Sequence, residues 1–316
     1  MEEKKSYTGN DLMRDLIQND NSLIMVMSRF GIPLGFAKKT IGEVCQNHDI
    51  DVTTFLEVVN FVSGRKYDYT NLSMPSMISY LKNAHDYLLK FNLPSIRRKL
   101  IEAIDLAVAS DVGMLIIRLY DEYVNEVKRH IGYENNVVFV YVEQILQGYL
   151  NKSYTISTFA GKHTPISDKL AKLKDAIICY YPKHNNYLLN DVLLDIMLCE
   201  EDLAAHCKIE DDLFVPAVEL EEIKLKNSGR AKFSDEKNKD LSYKDKTDGL
   251  SQREKDIIAC VAKGMSNKEI ADTLFLSVHT VTTHRRNIAS KLKIHTASGL
   301  TIYAIVNKLI RIEDIK

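Results

Sequence analysis

Two short motifs share a spacing that suits metal chemistry: His130-Ile-Gly-Tyr-Glu134-Asn-Asn and His206-Cys-Lys-Ile-Glu210-Asp-Asp. On a helix, residues i and i+4 lie one turn apart on one face, so each motif can aim an imidazole nitrogen and a carboxylate at one point. Two more histidines, His85 in Asn83-Ala-His-Asp86 and His163 in Gly161-Lys-His-Thr-Pro165, stand near the starts of other expected helices. Four imidazoles and two carboxylates suit a pair of ions bridged by both carboxylates. With two histidines each, the ions keep open positions for water, an oxo bridge or a diatomic ligand. Mixed nitrogen and oxygen donors allow iron, manganese or zinc. One His-x-x-x-Glu alone is usually a helix-stabilising pair; its repetition, with two spaced histidines, is what points to a site. His184 rivals His163, but it lies only 22 positions before His206, too little chain for the preceding helix to return to the centre. His163 is therefore preferred.

A second kind of chemistry ends the chain. Ile270, Ala271 and Leu274 form the apolar stripe of a short helix; Ser277 is an N-cap; Val281, Ile288 and Leu292 form the stripe of a second helix. The outer face of that second helix carries Thr282, Thr283, Arg286 and Lys293, flanked by His284, Arg285 and Lys291. This is the pattern of a helix-turn-helix whose second helix enters the major groove of double-stranded DNA.

Charge divides the chain the same way. From Gly249 onward there are 11 Lys and Arg against 6 Asp and Glu, whereas the residues before it hold 31 against 37. A basic module on an acidic body fits a DNA reader attached to something else. The five cysteines are scattered, with no Cys-x-x-Cys pair, which favours a reduced, cytoplasmic protein. No apolar run approaches a membrane span and no signal-peptide pattern opens the chain, so no membrane partner is expected.

These groups need helices to position them. Long amphipathic periodicity predicts helices over Ser76–Phe91, Ser95–Asn136 with a candidate break near Asp111, Pro165–Tyr180 and Tyr187–Leu225. Short connections make these an up-and-down bundle. Before them, residues 1–65 read as a small helical unit: a Leu12, Leu16, Ile17 stripe, a turn at Phe30-Gly-Ile-Pro33, and helices at Thr40–Cys45 and Val52–Val62. The polar stretch 227–248 reads as a flexible linker. The expected fold is all-α, with a small N-terminal unit, a four-helix bundle over 76–226, the linker, and a four-helix domain over 249–316.

Leu250-Ser-Gln-Arg-Glu254, Ala262 to Ala271 and Thr280 to Leu292 resemble the LuxR-type helix-turn-helix of bacterial transcription regulators. The resemblance implies base reading by Thr282, Thr283 and Arg286, phosphate contacts by Asn267, Lys268, Thr280, His284 and Lys291, and pairing into a homodimer through a last helix over Ala297–Lys308. Residues 76–225 resemble the hemerythrin-like cation-binding domain, and more closely the di-iron proteins that repair iron–sulfur centres. That likeness implies iron, with His85, His130, His163 and His206 as terminal ligands and Glu134 and Glu210 as bridges. The first 65 residues resemble the small N-terminal domain of those repair proteins, but Phe30-Gly-Ile-Pro-Leu-Gly-Phe-Ala-Lys-Lys39 lacks the family's paired cysteines.

The combined expectation is a DNA-binding transcription regulator that senses nitric oxide, oxygen or redox state through a di-iron centre, with no catalytic residue assigned. The alternative is a di-iron enzyme of iron–sulfur repair or nitrosative-stress defence carrying a DNA-binding tail.

Overall fold

In the computed structural model the described residues are mostly helical, an all-α fold. The structure describes residues 5–104, 111–159, 164–180, 187–229, 231–234, 250–292, 294–307 and 309–311. These divide into two compact units, one drawn from residues 1–93, 128–163 and 199–241, the other from 94–127, 164–198 and 242–316. Among the described residues no helix is long and apolar enough to cross a membrane.

The first unit opens with four short helices, α1 (Met13–Asn19), α2 (Leu23–Arg29), α3 (Ile41–Asn47) and α4 (Val52–Val62). Their starts are set by side chains that accept otherwise unpaired backbone amides: Thr40 and Glu43 form a reciprocal capping box on α3, and Asp51 caps α4. Ser73 caps the next helix, α5 (Met74–Asp86). Helices this short cannot enclose a core of their own. Met13, Leu16, Leu23 and Phe55 instead share one apolar cluster with Tyr80 and Leu81, with Phe139 and Val142, and with Phe214 and Val218. The N-terminal segment expected to stand apart is thus part of a larger core. Arg29 ties it further: its guanidinium, 3% exposed, holds both oxygens of Asp202 at 2.6 Å.

α5 does not stop at Phe91. A π-helical turn over Tyr87–Asn92 leads directly into α6 (Leu93–Ala103), making one helix where two were expected. The sequence signal for a stop is Pro94, which lacks an N–H and whose ring crowds the carbonyl four residues back. Widening the turn that contains that carbonyl, closed by the Leu93 N–H on the Leu88 oxygen, relieves the clash. The same device recurs twice. α7 (Asp111–Tyr133) continues through a π turn over Glu134–Val138 into α8 (Phe139–Leu146). α10 (Tyr187–Ile209) continues through one over Glu210–Phe214 into α11 (Val215–Asn227).

The linker expected over 227–248 differs in its first residues. Lys232–Ser234 forms a strand paired in parallel with Tyr149–Asn151, in the register Tyr149 to Lys232. The pairing supplies partners for backbone groups that the end of α8 leaves exposed. Residues 235–249 lie outside the described residues.

In the second unit, ion pairs lace α6 to α7 (Arg97 with both oxygens of Asp121 at 2.7 and 3.0 Å), α6 to α10 (Lys99 with Asp191 and Asp195 at 2.9 and 2.7 Å) and α9 (Thr164–Tyr180) to α7 (Lys169 with Glu126 at 3.4 Å). The same unit holds α12 (Gln252–Ala262), α13 (Asn267–Leu274), α14 (Val278–Leu292) and α15 (Ala297–Val306). α15 packs on α12 and α9, burying Leu300, Tyr303 and Ala304. The Arg118 guanidinium lies 5.8 Å from the Tyr303 ring centre, and Lys172 Nζ 3.4 Å from Asn307 Oδ1.

Asp202→Asn removes the counter-charge of a buried guanidinium and is expected to destabilise the first unit by about 3–5 kcal/mol. A urea denaturation midpoint unchanged from the parent would contradict this account of how the N-terminal helices are held.

Candidate metal centre and DNA-reading surface

Three of the π turns' parent helices converge their imidazoles and carboxylates inside the first unit. His85 comes from the last turn of α5, His130 from the last turn of α7 and His206 from the last turn of α10; Glu134 and Glu210 are the first residues of the π turns that follow. Glu134 and Glu210 are 0% exposed, and the three histidines are 1–3% exposed. His85 Nε2 lies 3.1 Å from Glu134 Oε2 and 3.2 Å from His206 Nε2; His130 Nε2 lies 2.6 Å from Glu134 Oε1; His206 Nε2 lies 3.3 Å from Glu210 Oε1. One donor atom from each of His85, Glu134, His206 and Glu210 falls within 4.8 Å of all the others. His163 and its rival His184 lie outside the described residues.

The surroundings orient the donors. His85 Nδ1 donates to Asn135 Oδ1 at 3.0 Å, which turns Nε2, the nitrogen left for a ligand, toward the carboxylates. Its ring stacks on Phe139 at 5.6 Å, and that of His130 on Phe159 at 6.3 Å. One neighbour is not marked by the spacing of the two motifs. Cys207 Sγ, a ring nitrogen of His130 and a carboxylate oxygen of Glu210 form a second close group of donors. Its only signal was adjacency to His206, and consecutive residues on a helix point about 100° apart.

Two buried carboxylates demand positive charge, and the imidazoles respond. Burial disfavours a proton on His85, yet the hydrogen bond that its ring donates to Glu134 and the charges of Glu134 and Glu210 raise its pKa above the ordinary value. His130 feels the same burial, but hydrogen bonds to Cys207 and Glu134 and the nearby carboxylate charges carry it up to about 10. A small cation would meet the same demand and displace those protons. The donor set, mixed nitrogen and oxygen against aromatic walls, fits first-row transition-metal ions.

The reading surface lies in the second unit. Ser251 with Glu254 and Ser266 with Glu269 form capping boxes on α12 and α13, and the Ser277 hydroxyl accepts the Thr280 N–H at 3.0 Å to start α14. Ile270, Ala271, Val281, Ile288 and Leu292 are buried as expected from their spacing, while Leu274 is only half-buried. Thr282, Thr283 and Arg286 are exposed on one side of α14, as is Lys268 on α13. Both threonines bond back to their own helix, to the carbonyls of Val278 and His279. Thr280, His284 and Asn267 are half-buried, and Asn267 Oδ1 accepts from Arg285 at 2.7 Å. Lys291 is held by both oxygens of Glu254 at 2.7 and 2.8 Å. Burial works to raise that carboxyl, but Lys291 and the Ser251 amide outweigh it and hold Glu254 below the usual carboxylate range.

Residues 248–304 match the family of bacterial regulatory proteins of the luxR type. This segment is a LuxR-type DNA-binding domain. The LuxR-type domain is 48% identical over 59 residues to the transcriptional regulatory protein MctR of Rhizobium johnstonii, a stretch covering 19% of this chain and 28% of that protein. It is 42% identical over 71 residues to the oxygen regulatory protein NreC of Staphylococcus haemolyticus, covering 22% of this chain and 33% of that one. The NreC of Staphylococcus carnosus is 46% identical over 61 residues, covering 19% and 28%. The chain thus spans about a third or less of the length of these relatives. No solved structure matches the chain.

His130 keeps its proton to about pH 10 when folded but releases it near 6.5 when unfolded. Its contribution, on the order of a few kcal/mol, is therefore complete below about pH 6.5 and lost as pH rises toward 10. Protein purified with chelator should show a falling melting temperature over that window, and His130→Gln should flatten the fall. On the reader, Arg286→Ala should cost about 1–3 kcal/mol at one base position, whereas Lys268→Ala should weaken all sequences alike and reduce the salt slope by about 1. Binding assays on a panel of operators at two salt concentrations separate the two.

Proposed function

We propose that this chain is a transcription regulator in which the buried His and Glu cluster holds a pair of iron ions and answers nitric oxide, oxygen or redox state, with the LuxR-type domain as its output. The observation that carries the reading is the coincidence of donors with backbone irregularity. A π turn begins at Glu134, at Glu210 and two residues beyond His85. Such turns are frequent at functional sites because an inserted residue re-aims side chains that a regular helix would send elsewhere. The hemerythrin-like resemblance of residues 76–226 supports iron over manganese or zinc. The likeness to proteins named as oxygen regulators lies wholly within the DNA-binding segment, so it supports the output and leaves the signal to the cluster.

In this reading His85, His130, His206 and, by resemblance, His163 are terminal ligands, and Glu134 and Glu210 bridge. Iron held this way would supply coordination positions open to a diatomic ligand. The protein's part is to keep those positions dry, with Phe139 and Phe159 walling the imidazoles, and to fix the ring of His85 through Asn135. α7 carries His130 in its last turn and Arg118, the guanidinium over Tyr303 of α15, farther toward its start. α7 therefore joins the cluster to a residue that touches the LuxR-type domain, which in this reading binds DNA as a homodimer. A signal passes only if the two ligation states favour different conformations of the chain.

Anaerobically purified protein should contain two irons per chain, and exposure to nitric oxide or oxygen should change its affinity for operator DNA by at least about fivefold. Glu134→Ala should abolish the response while leaving unregulated DNA binding intact. Absence of stoichiometric metal after anaerobic reconstitution would remove the basis for the proposal.

A further inference from the structure

α10 delivers more than the two donors of its His-x-x-x-Glu motif. His206 reaches toward His85, with the two Nε2 atoms 3.2 Å apart. The next residue, Cys207, points to the other side of the cluster and places its Sγ beside His130 and Glu210, the three donor atoms lying within 4.8 Å of one another. Cys207 and Glu210 are at i and i+3, so one face of α10 presents both to the His130 side. Cys207 is half-buried, and His130 and Glu210 are buried. The chain's other cysteines enter no such group among the described residues: Cys45, Cys199 and Cys260 are buried and Cys179 is exposed.

We propose that Cys207 is a thiolate ligand to the ion on the His130 side, making the two metal positions chemically unequal. The inference rests on the metal-centre reading and extends it to a residue outside the histidine and carboxylate set. One position would be served by His85 and His206 with carboxylate oxygens. The other would be served by His130, Glu134, Glu210 and a sulfur, with His163 by resemblance. On binding, the Cys207 S–H proton passes to solvent, a sulfur–metal bond forms and a water leaves the ion, with no change of oxidation state. Thiolate is the softest donor in the cluster and biases its position toward iron, zinc or cobalt over manganese or magnesium. It would also occupy a coordination position on that side.

Cobalt(II) is the probe, because a thiolate bound to it gives an intense near-ultraviolet charge-transfer band that nitrogen and oxygen donors do not. The full chain, stripped with chelator and loaded with cobalt(II) without oxygen, should bind two ions and show that band. Cys207→Ser should lose the band and weaken the second ion by at least the roughly 10–100-fold that loss of even an outer partner costs. As a check independent of that variant's folding, iodoacetamide labelling of Cys207 in a Cys179→Ser background should slow about tenfold when cobalt is present, the metal-bound sulfur being withheld from the reagent. Two cobalt ions without a thiolate band, a band that survives Cys207→Ser, or labelling indifferent to cobalt would overturn the assignment of Cys207 and leave the metal centre standing. Failure of the parent chain to bind cobalt at all would overturn both.

Discussion

Two carboxylates without exposed surface, Glu134 and Glu210, set the terms for the first unit. Removing an ionised carboxylate from water costs several kcal/mol even after the surroundings relax, so each must be answered by positive charge or by a proton. His85, His130 and His206 stand within reach, and burial that would otherwise strip protons from His85 and His130 is overruled by the carboxylates beside them. The aromatic walls of Phe139 and Phe159 sharpen this balance, since the same low polarity that makes a lone charge costly strengthens every pairing inside. The surrounding core, including the N-terminal helices, keeps water from relaxing it.

That N-terminal segment has its own version of the problem. Arg29 is buried against Asp202 and Tyr80, and the Asn83 side chain caps the Arg29 carbonyl at 2.7 Å. A buried ion pair is weak evidence for stability, because its desolvation offsets much of its attraction. What it does supply is position: an Arg29 out of register with Asp202 leaves two uncompensated charges. α2 is thereby fixed in one seat on a core that apolar contacts alone would fill less selectively.

Much of this was legible in the sequence. The His-x-x-x-Glu repeats brought His130, Glu134, His206 and Glu210 together as their spacing required, and His85 joined them. On the LuxR-type domain the capping serines and the stripes through Ile270, Val281, Ile288 and Leu292 were readable from residue type alone. The misses have physical causes. Pro94 is a valid stop signal that a widened turn can neutralise, and a widened turn has no composition of its own. The unit expected over residues 1–65 rested on local stripes and a turn, which cannot say where an apolar face finds its partner. Lys291 carries the charge expected of a phosphate contact, and residue type alone does not show that it also meets Glu254, which depends on the approach of α12 to α14. Cys207 was masked by its scattering among four unrelated cysteines.

The π turns have one more consequence. A helix residue advances the side-chain direction by about 100°, so one inserted residue rotates everything beyond it by that amount. The helix from Asp111 to Leu146 must therefore be written in two reading frames, one ending at His130 and one beginning after Glu134. α8 tolerates the change because Phe139, Tyr141, Val142 and Ile145 bury it on several sides, so no single stripe has to stay aligned. The donors thus sit at joints between frames. At such a joint, gaining or losing one residue can turn a ligand relative to the core without breaking the helix, so the geometry of the cluster can vary while the fold stays constant.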